Sequence, residues 1–275
     1  RGLSARPLDK TETMQGTITS SFGIQEREDK LYVITQILHY QYEDDPDMIG
    51  TVIGSTEVCA YAFDQNFRLL SKQKNIAKDE DIKAVRFLDD MGYVVTYQQQ
   101  DPLFSIDFSD PKNLKVMDKI EMPGFSGYLH PVKDDLLLGI GEAEDGNAKI
   151  SLYDITDNNK LSIYDEKEID HIKYNNVLED YRKIFIDEEN NIAGFGGTDY
   201  GDSDDEKEEN REQNYYVLYH YDRDGKLQQI GEYPVKKEYR GFINQKFIGM
   251  RIGAWFYVIP EETSRQEDME IVPYS

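Results

Sequence analysis

The chain has 275 residues, 39% of them hydrophobic and 12% aromatic, which is enough material for a packed core in one large domain or two small ones. Fifty-four acidic against 31 basic residues leave a net charge of −23, which weighs against a sequence-independent grip on nucleic-acid phosphates or an anionic membrane. No stretch approaches the ~20 apolar residues that a membrane-spanning helix needs, and the best candidate, Phe247 to Pro260, is short and carries Arg251 in its middle.

Twenty Tyr and twelve Phe favour strand, because aromatic side chains fit a pleated, half-buried surface. In chain order, Ser21 to Ile24, Glu26 to Lys30, Leu31 to Ile37, Val58 to Phe63, the Asp64-Gln65-Asn66 turn and Arg68 to Ile76 read as short strands with tight connections. Cys59 lies in that stretch and reads as a small buried strand residue; as the only cysteine it excludes an internal disulfide and a multi-thiolate metal site. Next come Ala84 to Leu88, a turn at Asp89 to Gly92, Tyr93 to Tyr97, Leu103 to Asp107, and Leu114 to Glu121. The pattern returns in Tyr128 to Val132, Leu136 to Ile140, Lys149 to Asp154 and Leu161 to Ile169. A third copy runs Arg182 to Ile186, Ile192 to Phe195, Tyr215 to Tyr221, the turn Asp222-Arg223-Asp224-Gly225, and Leu227 to Val235. A last one starts at Tyr239 to Ile243, continues through Phe247 to Gly249 and Ala254 to Ile259, and leaves only Met269 to Val272 for a further strand.

An aspartate closes each third strand: Asp64, Asp107, Asp154 and Asp222, at intervals of 43, 47 and 68 residues. The long interval contains the charged run 199–213, and without it the spacing returns to about 50, the blade period of a β-propeller. The expected fold is therefore all-β: a propeller of about five four-stranded antiparallel blades, near 14–80, 82–123, 124–170, 172–236 and 238–275, forming one domain over 1–275 with an acidic insertion at 199–213. Either the segment Met14 to Thr19 completes the last blade, or the chain is a fragment of a larger propeller; closure would remove the edge strands that invite aggregation.

The run Ala84-Val85-Arg86-Phe87-Leu88, Gly92 to Tyr97 and Asp101 to Pro111, followed by Pro123 to Ser126, Tyr128 to Pro131, Leu138 to Gly141 and Lys149 to Asp157, resembles bacterial and archaeal secreted proteins with a C-terminal β-propeller domain, distant relatives of WD40 repeats. The match is specific from about Lys83 to Asp157 and departs at Asp180-Tyr181-Arg182, where members commonly carry an Asp-His-Lys-like triplet. The resemblance implies an extracytoplasmic module without a catalytic set. The chain opens at Arg1 with no initiator Met and no leader-like segment, so a mature or excised piece is expected.

Four copies place a basic side chain at the start of the first strand: Arg86, His130, Arg182 and Arg240. First strands line a propeller's central channel, so these four are the candidate ligand-binding residues, for an anionic ligand or partner at the channel mouth. The competing reading has each of them paired with a neighbouring Asp or Glu to tie blades together.

The loop Asp199 to Glu206 is rich in carboxylates but lacks the Gly and Glu of an EF-hand, and reads as a solvated insertion rather than a metal site. Asp222 to Gly225 reads as a hairpin turn in which Asp-Gly supplies positive φ. Gly194-Phe195-Gly196-Gly197, with no helix and no Lys-Ser or Lys-Thr after it, reads as a closely packed strand, and Trp255 as a core residue.

For catalysis the chain offers four histidines and neither a Gly-x-Ser-x-Gly elbow nor a His-Glu-x-x-His helix. Convergent carboxylates leave one enzymatic alternative, a propeller acting on an extracellular polysaccharide. No metal or cofactor is implied. The expected partner is a protein or a glycan, and the expected state is a monomer.

Overall fold

A computed structural model describes residues 13–42, 52–97, 101–133, 135–201, 213–235, 246–261 and 270–274. The chain divides into two compact units, Arg1–Met122 and Pro123–Ser275.

In the first unit, β1 (Ile24–Arg27), β2 (Lys30–Tyr42), β3 (Val52–Asp64) and β4 (Leu69–Gln73) form one antiparallel meander. A second is made by β5 (Asp81–Leu88), β6 (Met91–Tyr97), β7 (Asp101–Asp107) and β8 (Lys115–Met122). Strand alternation divides the side chains of β2 and β3 between two faces. Tyr32, Ile34, Val58, Ala60 and Ala62 join Val85, Val94, Phe104, Ile106 and Phe108 in the core between the two sheets. Val33, Ile37, Cys59, Tyr61 and Phe63 point the other way, where Met14 and Ile18 pack on them. The N-terminal segment is therefore spent on the first sheet. Thr17 bridges Gln36 of β2 through two backbone hydrogen bonds of 2.8 and 2.9 Å, and the Gln15 carbonyl accepts from Thr35 Oγ1 and Tyr61 OH.

In the second unit, β9 (Phe125–Val132), β10 (Leu136–Glu142), β11 (Ala148–Asp154) and β12 (Ser162–Ile169) form a meander. The next sheet orders β13 (Tyr174–Asn175), β15 (Ile192–Asp199), β16 (Gln213–Asp222) and β17 (Lys226–Val235), with β14 (Phe185–Asp187) also paired to β15. The last is three-stranded among the described residues: β18 (Phe247–Ile252), β19 (Trp255–Pro260) and β20 (Glu270–Pro273). These sheets are the blades of a β-propeller fold. Middle strands such as β10 and β11 are buried almost throughout, whereas β19 alternates between buried and more exposed positions. The fourth strands carry the charges, such as Asp165, Glu166, Lys167 and Glu168 in β12, which blunt an exposed edge.

The pairing of the last two strands slips once in each of the first four sheets, at Ala62/Phe63, Ser105/Ile106, Leu152/Tyr153 and Leu218/Tyr219. A bulge at a fixed place bends and twists the outer strand in the same way each time. Just past it stands the recurring aspartate, whose Oδ1 accepts backbone N–H groups of the following turn: Asn66 and Arg68 on Asp64, Ser109 on Asp107, Thr156 on Asp154, and Gly225 on Asp222. The aspartate spacing is thus a spacing of side-chain-closed turns.

Several elements differ from the sequence expectation. Asp180 accepts from the Arg182 N–H and caps a single turn of 3-10 helix, Tyr181–Lys183, so the expected strand from Arg182 shrinks to Phe185–Asp187. At the turn into β17 the positive φ falls on the strand's first residue, Lys226 (60°), and not on Gly225, whose N–H is held by Asp222. Trp255 is half-exposed rather than core, because its face of β19 is the one turned away from Phe247, Phe256 and Val258. The expected strand Tyr239 to Ile243, and all of the acidic insertion except 199–201 and Gln213, lie outside the described residues.

Candidate functional site

The first strands β9, β14 and β18 belong to three consecutive sheets, and their ends next to the first hairpin converge on an open depression of about 620 Å³. It is lined by His130, Phe185, Ile186, Asp187, Glu188, Gly249, Met250 and Arg251. Register explains why these residues meet. Counting two positions back from the last pair of each hairpin gives His130 opposite Leu138, Phe185 opposite Gly194 and Met250 opposite Tyr257. One structural position, repeated in three sheets, supplies an imidazole, a phenyl ring and a thioether.

The charged part of the site is prearranged. Arg251 donates from Nη1 to Asp187 Oδ2 (2.7 Å) and from Nε to the Gly253 carbonyl (3.1 Å), and its guanidinium lies 4.7 Å over the Tyr274 ring. Asp187 also accepts from Tyr274 OH (2.7 Å) and from both the backbone N–H and the side-chain amide of Asn190. Burial works to raise the Asp187 carboxyl, but the hydrogen bonds from Tyr274, Asn190 and Arg251 outweigh it and hold the group well below the usual carboxylate range. Burial, and then the bond to Asp187, push the Tyr274 phenol up. Next to this locked pair, Glu188 is 71% exposed, with Oε1 3.6 Å from His130 Nε2. His130 is fixed from its other side, where Nδ1 lies 3.1 Å from Tyr128 OH; the Tyr128 ring is parallel to that of Tyr181, with centroids 6.2 Å apart.

Of the four basic residues expected at a channel mouth, His130 lines the depression, as the sixth of eight residues in β9 rather than at its start. Arg86 occupies the same register in β5, opposite Tyr93, with its guanidinium 3.9 Å from the centre of the Phe22 ring. Arg182, in the 3-10 turn, makes a two-pronged pair with Asp180 at 2.8 and 2.9 Å, and this guanidinium holds the Asp180 carboxyl down at about 2. Arg240 lies outside the described residues.

Two functional-looking arginines were not singled out by sequence reasoning. In the sequence Arg251 stands as an interruption of an apolar stretch. Arg223, read as part of a turn, clamps Asp154 of the neighbouring sheet at 3.0 and 3.1 Å and donates to Thr156 Oγ1 at 2.6 Å. The signal for Arg223 was present in the aspartate series, since its partner Asp154 is one of the recurring residues.

The ionisation of the described carboxylates follows their hydrogen bonds. The carboxyl groups whose ionisation is displaced, such as Glu57, Asp154, Glu179, Asp180 and Asp187, move downward, opposite to what a carboxylic general acid requires. Cys59, beside Glu57 and near His39, has the residue types of a nucleophilic triad. Its thiol is fully buried, donates to Glu57 Oε1 (3.2 Å), and is pushed up to about 12 by burial and then by that carboxylate, which disfavours the thiolate. Among the described residues no group of three or more His, Cys, Asp or Glu is arranged to hold a metal ion, and no helix is long and apolar enough to cross a membrane.

Antiparallel meanders that follow one another along the chain define a β-propeller fold. The profile of the β-propeller domain family matches residues 7–250, and the chain belongs to that family. It is 34% identical over 199 residues to an uncharacterized protein of Methanocaldococcus jannaschii, covering 70% of this chain and 30% of the relative. It is 40% identical over 109 residues to an uncharacterized protein of Archaeoglobus fulgidus, covering 40% of this chain and 17% of the relative. The chain therefore spans less than a third of the length of either curated relative. Among solved structures it is similar to the WD40 domain of Toxoplasma gondii coronin, with a TM-score of 0.43, 14% identity, and 76% of this chain and 50% of that one covered. It is also similar to a europium-containing methanol dehydrogenase, with a TM-score of 0.46, 11% identity, and coverage of 92% and 50%.

Proposed function

We propose that the chain is a binding or scaffolding module that acts outside the cytoplasm and engages a protein partner through the depression between β9, β14 and β18. The observation that carries this reading is the convergence of His130, Phe185 and Met250, equivalent positions of three sheets, around charged groups already fixed in place. A rigid surface of mixed apolar and polar character suits recognition, because little side-chain freedom is lost on binding. The extracytoplasmic placement rests on the resemblance of the segment from Lys83 to Asp157 to secreted propeller proteins.

The test is to select binders of the full chain from phage-displayed random nonapeptides and to map the bound peptide by hydrogen–deuterium exchange. Protection is expected in residues 128–132, 185–191 and 247–252. Protection confined to the outer strands β8, β12 or β17 would overturn the assignment of the site.

A further inference from the structure

One face of the last sheet is apolar and exposed. Ile248, Met250 and Ile252 of β18 stand opposite Ile259, Tyr257 and Trp255 of β19, with Ile271 of β20 beyond them. Met250, Ile252, Trp255 and Ile271 are between 44% and 56% exposed. An exposed cluster of this kind marks an interaction surface more often than scattered single residues do. Met250 belongs to this face and to the lining of the depression, so the two surfaces are continuous.

Charge identifies the occupant. In the depression the positive charge of Arg251 is cancelled by Asp187, at 2.7 Å, whereas the Glu188 carboxylate remains 71% exposed to solvent. The whole chain carries −23, a field that draws cations toward it and repels anions. The methylene stem of a lysine or arginine packs well along apolar side chains while its head group stays polar, and Met250 and the partly buried Phe185 line the same depression as Glu188.

We propose that the depression and the exposed face of the last sheet together receive a partner segment in which a lysine or arginine is flanked by apolar residues. Glu188 takes the cationic head, Phe185 and Met250 take its stem, and the face formed by Ile252 and Trp255 takes the apolar neighbours. This inference rests on the binding reading above and adds to it the class of partner.

The experiment uses the same selection of phage-displayed random nonapeptides, read for charge and then measured as synthetic peptides by fluorescence anisotropy. Enrichment of basic residues between apolar ones is expected, with at least a tenfold loss of affinity in Glu188→Lys, a loss in Met250→Asp, and little change in Glu189→Lys, an exposed neighbour in the same hairpin. Thermal unfolding of each variant, unchanged from the parent, shows that it is folded. Acidic or neutral peptides protecting residues 185–191 and 247–252 would overturn the basic partner and leave the site standing. An equal loss in Glu188→Lys and Glu189→Lys would also overturn the proposal, since it would make the effect a general field. No enrichment at all, or protection elsewhere, would overturn both the partner class and the site.

Discussion

The sheet β1 to β4 and the sheet β18 to β20 both carry apolar residues on two faces, but only the first has its second face covered by described residues of its own chain. On the first sheet, Met14 and Ile18 pack on Val33, Ile37, Tyr61 and Phe63, and Tyr61 is 3% exposed. On the last sheet the corresponding alternation leaves Trp255 50% exposed and Ile271 52% exposed. Strand alternation alone does not distinguish a face that the chain covers from one that its described residues leave open. The difference comes from a seven-residue stretch that makes few strand contacts of its own, and the comparison can be broken at either end.

The largest effect is expected from removing residues 13–19. The deletion strips Met14 and Ile18 from the apolar cluster, and takes away the two backbone bonds of Thr17 and the carbonyl that serves Thr35 and Tyr61. Partial burial of two large side chains and the loss of several hydrogen bonds amount to about 4 kcal/mol, read as a lower denaturant midpoint. An unchanged midpoint would mean that the segment does not stabilise the first sheet.

A smaller effect is expected at the pair that borders the depression. Asp187→Ala leaves Arg251 and Tyr274 without their shared acceptor and is expected to cost about 2 kcal/mol, less than a fully buried pair because Arg251 is 37% exposed. The pH dependence follows from the depressed carboxyl. Its contribution is fully present above the unfolded Asp pKa of ~3.9 and is lost as pH falls toward the lower native value. The stability gap between the parent chain and Asp187→Ala should therefore narrow below about pH 4. A gap that stayed constant from pH 7 to pH 3 would show that the carboxylate charge is not what holds this corner together.

Legibility followed the range of the interactions. The aspartate ruler could be read because each aspartate acts on the turn that directly follows it: Asp64 on Asn66 and Arg68, Asp107 on Ser109, Asp154 on Thr156. The repeat, and with it the fold, was therefore visible in local sequence. The site was not, because His130, Phe185 and Met250 are separated by more than fifty residues at each step and meet only through the register of three hairpins. A displacement of a few residues along a strand was enough to place basic residues at strand starts, while Arg251, which faces the depression, looked like a flaw in an apolar run. Arg182 was misplaced for a local reason, since a capping aspartate two residues before it favours a helical turn over a strand.

The smallest energetic effect is expected at Trp255, which also gives the most direct view of the uncovered face. Trp255→Ser removes a side chain that is already half in water and should change stability by about 1 kcal/mol or less. Since Trp255 is the only tryptophan in the chain, its emission reports on this one face. In the parent protein the emission should lie close to that of free tryptophan and be quenched readily by acrylamide. Adding a peptide selected for the depression should shift it to the blue and protect it, because the apolar neighbours of the basic residue would then cover the indole. A spectrum that is blue and protected before any peptide is added would place a cover on this face already, and would erase the contrast with the first sheet.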